Sequence, residues 1–197
     1  MGRAMESRHE PSIMNTEGQQ YIHYNKAGLM MYTLSDFIGK DKFNKALKTF
    51  MERFRYNSSP YADIGTFVTM VKENTPDDLV YLVDDTFSKI TLYENKAKNA
   101  SAIINDDGSY DVTFTVEAKK VYSDSTGVQT KAKLNDWLEI GILGEDELAG
   151  KKIEIPILLE KVFITDSVTT FTYNVNQKPV KAGIDPMNKF IDRVIDD

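Results

Sequence analysis

The sequence contains two histidines, His9 and His23, 14 positions apart. A hydrolytic zinc site needs two imidazoles one helical turn apart, together with an open coordination position where bound water loses its proton. Neither histidine has a partner at that spacing, and no H-E-x-x-H occurs. His23 is therefore expected to serve packing or an interface. The runs Asp84-Asp85, Asp106-Asp107 and Glu145-Asp146-Glu147 offer carboxylates for acid and base work. Adjacent residues point to different faces of a helix or strand, so turn and surface roles are expected for them. Cysteine is absent, which excludes disulfides, thiolate ligands and thiol nucleophiles. Asn57-Ser58-Ser59 and Asn99-Ala100-Ser101 match the glycosylation sequon, which has meaning only in a secretory pathway, and Pro60 weakens the first. No phosphate-cradling glycine motif and no nucleophile elbow is present.

The elements that must position these residues follow from composition and period. A chain of 197 residues with 41% hydrophobic residues can bury one sizeable core or two small ones, and two are expected. No apolar run reaches the roughly 18 residues of a membrane-spanning helix and no signal peptide opens the sequence, so the chain is expected to be soluble. A net charge of -6 argues against nucleic acid as a partner, because a sequence-independent grip depends on Lys and Arg neutralising phosphates. Lys119, Lys120, Lys131 and Lys133 are expected on a solvated strand face.

Residues 1–20 are polar and without period, an irregular lead-in. Residues 21–88 read as a helical subdomain. Ala27, Met30, Met31, Leu34, Phe37 and Ile38 recur at helical spacing before Gly39. Asp41 then suits an N-cap for a helix with Phe43, Ala46, Leu47, Phe50 and Phe54 inward. A third helix is expected after Asp63, with Ile64, Phe67, Val68 and Val71 inward, and a fourth capped by Thr75 with Pro76 at its first position. After Ser88 the period falls to two. Tyr110, Val112, Phe114, Val116 and Ala118 alternate with polar residues, and Asp107-Gly108 marks a hairpin before them. Strands are expected over 91–104, 110–122, 137–143, 153–163 and 169–175, with Gly144 to Asp146 as a separator and an edge strand near 180–184. Residues 89–185 thus predict an antiparallel β-sandwich of immunoglobulin-like size without the antibody Cys and Trp signature, and 186–197 a tail. The expected class is α+β.

One segment goes beyond fold. Tyr24, Lys26, Ala27-Gly28, Leu34, Ile38, Gly39 and Phe43 resemble the Tyr-x-Lys-Gly-Ala and Leu-x-x-x-Ile-Gly-x-x-x-Phe patterns of aminopeptidase N-like zinc peptidases, the gluzincins, with the small pair inverted. Gln19-Gln20-Tyr21-Ile22-His23-Tyr24, and Lys178-Pro179 through Ile191-Asp192-Arg193, look similar to the bacterial branch fused to ABC-transporter-permease-like membrane segments. The resemblance extends over about residues 10–197.

It implies that the helices close a thermolysin-like catalytic domain and that Tyr24 stabilises the oxyanion in the parent enzyme. A phenol with a pKa of about 10 stays protonated at neutral pH and can donate without gaining charge. It also implies a membrane-tethered bacterial parent that cleaves peptides from the amino terminus with zinc. The family's metal ligands and amine-binding segment precede the tyrosine motif and are not in this sequence. The chain is accordingly expected to be a carboxyl-terminal fragment with no cofactor of its own, inactive alone, whose partner is the missing part of the catalytic domain. Without that part the helical face could dimerise. The alternative is a non-catalytic interaction module whose sandwich binds another protein.

Overall fold

The computed structural model describes residues 10–194. Helices α1 (Ala27–Ile38), α2 (Lys40–Phe54), α3 (Ile64–Glu73) and α4 (Val80–Phe87) come first. Nine strands follow: β1 (Ile90–Tyr93), β2 (Lys96–Ile104), β3 (Tyr110–Glu117), β4 (Lys120–Ser123), β5 (Gln129–Lys131), β6 (Asp136–Leu148), β7 (Lys151–Ile164), β8 (Val168–Val175) and β9 (Lys181–Ile184). The architecture is mixed α+β with antiparallel sheets. No helix among the described residues is long and apolar enough to cross a membrane. The described residues divide into two units, residues 10–91 with 122–130, and residues 92–121 with 131–194.

In the helical unit, the apolar stripes make one core. Met30, Leu34, Phe37 and Ile38 of α1, Phe43 and Ala46 of α2, Phe67, Val68 and Val71 of α3, and Leu82, Val83 and Phe87 of α4 are buried. Phe50, Phe67 and Phe87 chain edge to face, with centroids 5.3 and 6.0 Å apart. Asp63 caps α3 as its sequence suggests, accepting the Thr66 N–H at 2.8 Å. Three details depart from expectation. Gly39, at φ +101°, caps α2 in place of Asp41, because one sharp joint that glycine tolerates both ends α1 and starts α2. Thr75 turns its hydroxyl back to the Val71 carbonyl, so the last helix enters through a 3-10 turn, Asp77–Leu79, preceded by Pro76. Ile64 and Leu47 are 40% and 37% exposed and stand outside the core. Residues 122–130 belong to this unit through the Tyr122 hydroxyl on Asp85, 3.0 Å, and the Glu10 N–H on the Ser125 carbonyl, 3.0 Å.

In the β-rich unit, sheets β2-β3-β8 and β7-β6-β9 are antiparallel, with β9 also packed on β2 and β3. Val112, Phe114 and Val116 of β3 and Leu138, Ile140 and Ile142 of β6 fill the interior. The Asp107-Gly108 turn links β2 to β3, with Gly108 at φ +84°. Residues 91–104 are broken at Glu94-Asn95 into β1 and β2. The expected separator at Gly144 to Asp146 is overturned. β6 and β7 run through it to a two-residue turn at Ala149 and Gly150, φ +52° and +76°, a primed hairpin turn that continues the strand twist. The expectation for Lys120 is overturned too: it is 3% exposed and paired inside the unit.

Candidate functional site

Residues Tyr21–Lys26 form a π-helical turn at the entrance of α1, in which the Ala27 N–H reaches back to the Ile22 carbonyl. Such wide turns are rare and concentrate at functional sites. Here Ile22 is fully buried while Tyr24 is 76% exposed. Beside it, the Lys26 ammonium pairs with Glu10 at 2.9 Å and its side chain is only 10% exposed. Tyr24 is thus presented to solvent by an element fastened from below by Ile22 and from the side by Lys26. Gly28 and Tyr32 follow at i+4 and i+8 on the same face, where Gly28 has open space and Tyr32 is 59% exposed.

His23 is exposed on that turn, and His9 lies outside the described residues. Among the described residues, no group of three or more His, Asp and Glu side chains could hold a metal ion.

Asp106-Asp107 and Glu145 to Glu147 are exposed as expected, but the surface role expected for Asp85 is overturned, because Asp85 is buried with a lysine partner. Asp84 pairs with Lys72 at 2.6 Å, whereas Asp85 is buried and takes Lys89 at 2.8 Å. Burial works against the Lys89 charge, but hydrogen bonds to Asp85 and Tyr122 outweigh it and hold its pKa above the ordinary lysine range. Asp107 accepts the Ser109 N–H at 2.9 Å within the hairpin turn, and its hydrogen bonds with Ser109 keep its carboxyl below the ordinary range. Glu145 pairs with Lys152 across the β6–β7 ribbon at 2.7 Å.

The densest buried polar chemistry is in the β-rich unit, where sequence reasoning did not look. Lys120 and Asp136 pair at 2.6 Å with exposures of 3% and 0%, and Asp136 also receives the Tyr93 hydroxyl at 3.1 Å. Glu139 and Lys189 pair at 2.7 Å, each 5% exposed. Asp185 accepts the N–H groups of Lys189 and Phe190 at 2.8 and 2.9 Å, and burial nevertheless pushes its pKa up to about 6. One signal was available: Glu139 interrupts the apolar run Leu138 to Leu143, and a charge inside such a strand requires a buried partner.

Beside these groups a cleft of about 540 Å³ opens along β2, β6, β9 and the segment after β9. Asn95 lines it and is 3% exposed. Its N–H donates to Asp192 at 3.1 Å, and its buried carboxamide also interacts with that carboxylate. No family model and no curated protein matches the sequence.

Proposed function

We propose that this chain is the carboxyl-terminal part of a zinc aminopeptidase-like protein, in which the helices complete a thermolysin-like domain and the strands form an immunoglobulin-like β-sandwich. The observation that carries the reading is Tyr24 itself. The tyrosine to which the resemblance assigns the oxyanion role stands 76% exposed on a π-helical turn that a buried neighbour and an ion pair hold in place. In the parent, zinc would activate water, and Tyr24 would donate its phenolic hydrogen to the oxyanion formed at the substrate carbonyl. The metal ligands belong to the preceding part of the parent.

Met51 on α2 and Tyr56 and Tyr61 in the loop after it, exposed by 61%, 99% and 79%, support a surface of the helical unit that docks the rest of the catalytic domain, or dimerises without it. The parent is proposed to be a membrane-tethered bacterial peptidase acting on peptides. Two measurements test the reading. The coding sequence upstream of Met1 is expected to encode H-E-x-x-H; a degraded motif leaves the interaction module in its place. In the full-length parent, Tyr24→Phe is expected to lower kcat by about 100- to 1,000-fold, as loss of one oxyanion donor does. An unchanged kcat removes Tyr24 from the mechanism.

A further inference from the structure

We infer that the cationic side of α2 lies on an anionic lipid bilayer. The inference concerns the helical unit alone and stands on its charge, independent of the zinc-peptidase reading. Residues 40–55 hold six basic side chains, Lys40, Lys42, Lys45, Lys48, Arg53 and Arg55, against two acidic ones, Asp41 and Glu52, in a chain whose net charge is -6. All six basic residues are exposed. Inward, Phe43 and Ala46 are buried, and Phe50 packs on Phe54 with centroids 5.0 Å apart, which fixes the side that α2 turns to solvent.

The pairing of these charges sets α2 apart from the rest of its unit. Lys26, Lys72 and Lys89, the unit's other lysines, each meet a carboxylate, at 2.9, 2.6 and 2.8 Å. Lys48 reaches Glu52 only at 3.9 Å, and among the described residues Lys40, Lys42, Lys45 and Arg55 form no ion pair. Lys42, Lys45 and Lys48 stand three residues apart, neighbours on one face where like charges repel. An external anion relieves that repulsion. The apolar side chains beside the row choose among polyanions. Leu47 and Met51, 37% and 61% exposed, follow Asn44 and Lys48 by one turn, so apolar surface borders the cations. A bilayer presents anionic headgroups over hydrocarbon and accepts both, as it does for amphipathic helices that lie in the interface plane. A nucleic acid backbone presents phosphate without hydrocarbon. Met51 is common to this contact and to the docking surface proposed above, so the two adjoin.

The test is co-sedimentation of the full chain with vesicles of phosphatidylcholine containing about one-third phosphatidylglycerol. Binding is expected at about 0.1 M salt and should be lost at about 1 M, where the Debye length has fallen from about 10 to about 3 Å. Vesicles of phosphatidylcholine alone should bind none. Lys42→Gln with Lys45→Gln and Lys48→Gln should weaken binding about 100-fold, about fivefold for each basic residue near the surface. The same change at Lys131, Lys133 and Lys151, exposed in the other unit, should leave binding within about twofold. All six positions face solvent, so both variants should keep the wild-type unfolding midpoint. No binding to the anionic vesicles, or an equal loss in the two variants, overturns the inference. So does tighter binding to double-stranded DNA than to vesicles at equal phosphate, which would assign the row to nucleic acid. A dimer in gel filtration that the α2 variant abolishes also overturns it, because the row would then belong to a second copy of this chain.

Discussion

Replacing Lys120 by Met would remove one charge from a pair that has almost no access to water. Asp136 is 0% exposed and Lys120 3%, with 2.6 Å between them. Methionine keeps most of the aliphatic stem, so the change isolates the ammonium. The carboxylate left behind retains the Tyr93 hydroxyl and the Asn135 N–H, each at 3.1 Å. Breaking a buried pair from one side costs about 3–5 kcal/mol, and two surviving donors place this case near the lower figure. With an m-value of about 1–3 kcal/mol/M, the urea midpoint falls by about 1–3 M.

Trp137, the one tryptophan of the sequence, sits on β6 with Phe163 at 5.5 Å, so its fluorescence reports this unit. Lys120→Met combined with Asp136→Asn should recover to within about 1 kcal/mol of wild type, since removing both charges of a buried pair is often neutral. A single variant within about 0.5 kcal/mol of wild type at pH 7 would refute the reasoning, because an uncompensated buried carboxylate cannot be that cheap.

Two further outcomes follow from the same structure. Asp63→Ala should cost about 1 kcal/mol through loss of the α3 N-cap, measured as an earlier midpoint in the far-ultraviolet helical signal; an unchanged midpoint would mean that the Thr66 bond is not formed in solution. Asp185 has a folded pKa of about 6, above its ordinary 3.8, so its contribution is complete below about pH 4 and is lost as pH rises through 6. In Asp185→Asn this component of the pH dependence should vanish. Urea midpoints by Trp137 fluorescence from pH 4 to 7 check it, and parallel curves for the two proteins would contradict the burial of Asp185.

The helices and hairpins were legible where neighbours in sequence are neighbours in space. The Ala27 to Ile38 spacing, the Asp63 cap, the Tyr110 to Ala118 alternation and the Asp107-Gly108 turn are all local, and each appears in the structure. The misreadings share a cause. An acidic run at Glu145 to Glu147 resembles a loop by composition, yet both faces of the β6–β7 ribbon are exposed there, so a strand accommodates charges without cost. Lys120 resembled its surface neighbour Lys119, and its burial depends on Asp136, 16 positions away. The π-helical turn under Tyr24 left no trace in the spacing, because it opens the helix and no α-helical segment precedes it whose phase an extra residue would shift.

For Tyr24, the amino-acid sequence determined the residue, its helix entrance and the motif around it, since these depend on spacings of a few residues. Tertiary structure decided that the phenol stands in solvent while Ile22 is buried, through contacts that include Glu10, 16 positions from Lys26. In the β-rich unit the sequence determined the alternation that builds β3 and the run of β6. Only the fold decided which charges were paired inside it, joining Glu139 to Lys189 across 50 positions and setting Asp192 against Asn95 across 97. Local pattern records which face of an element is apolar, whereas the partner of a buried charge is chosen by chain segments that meet only after folding.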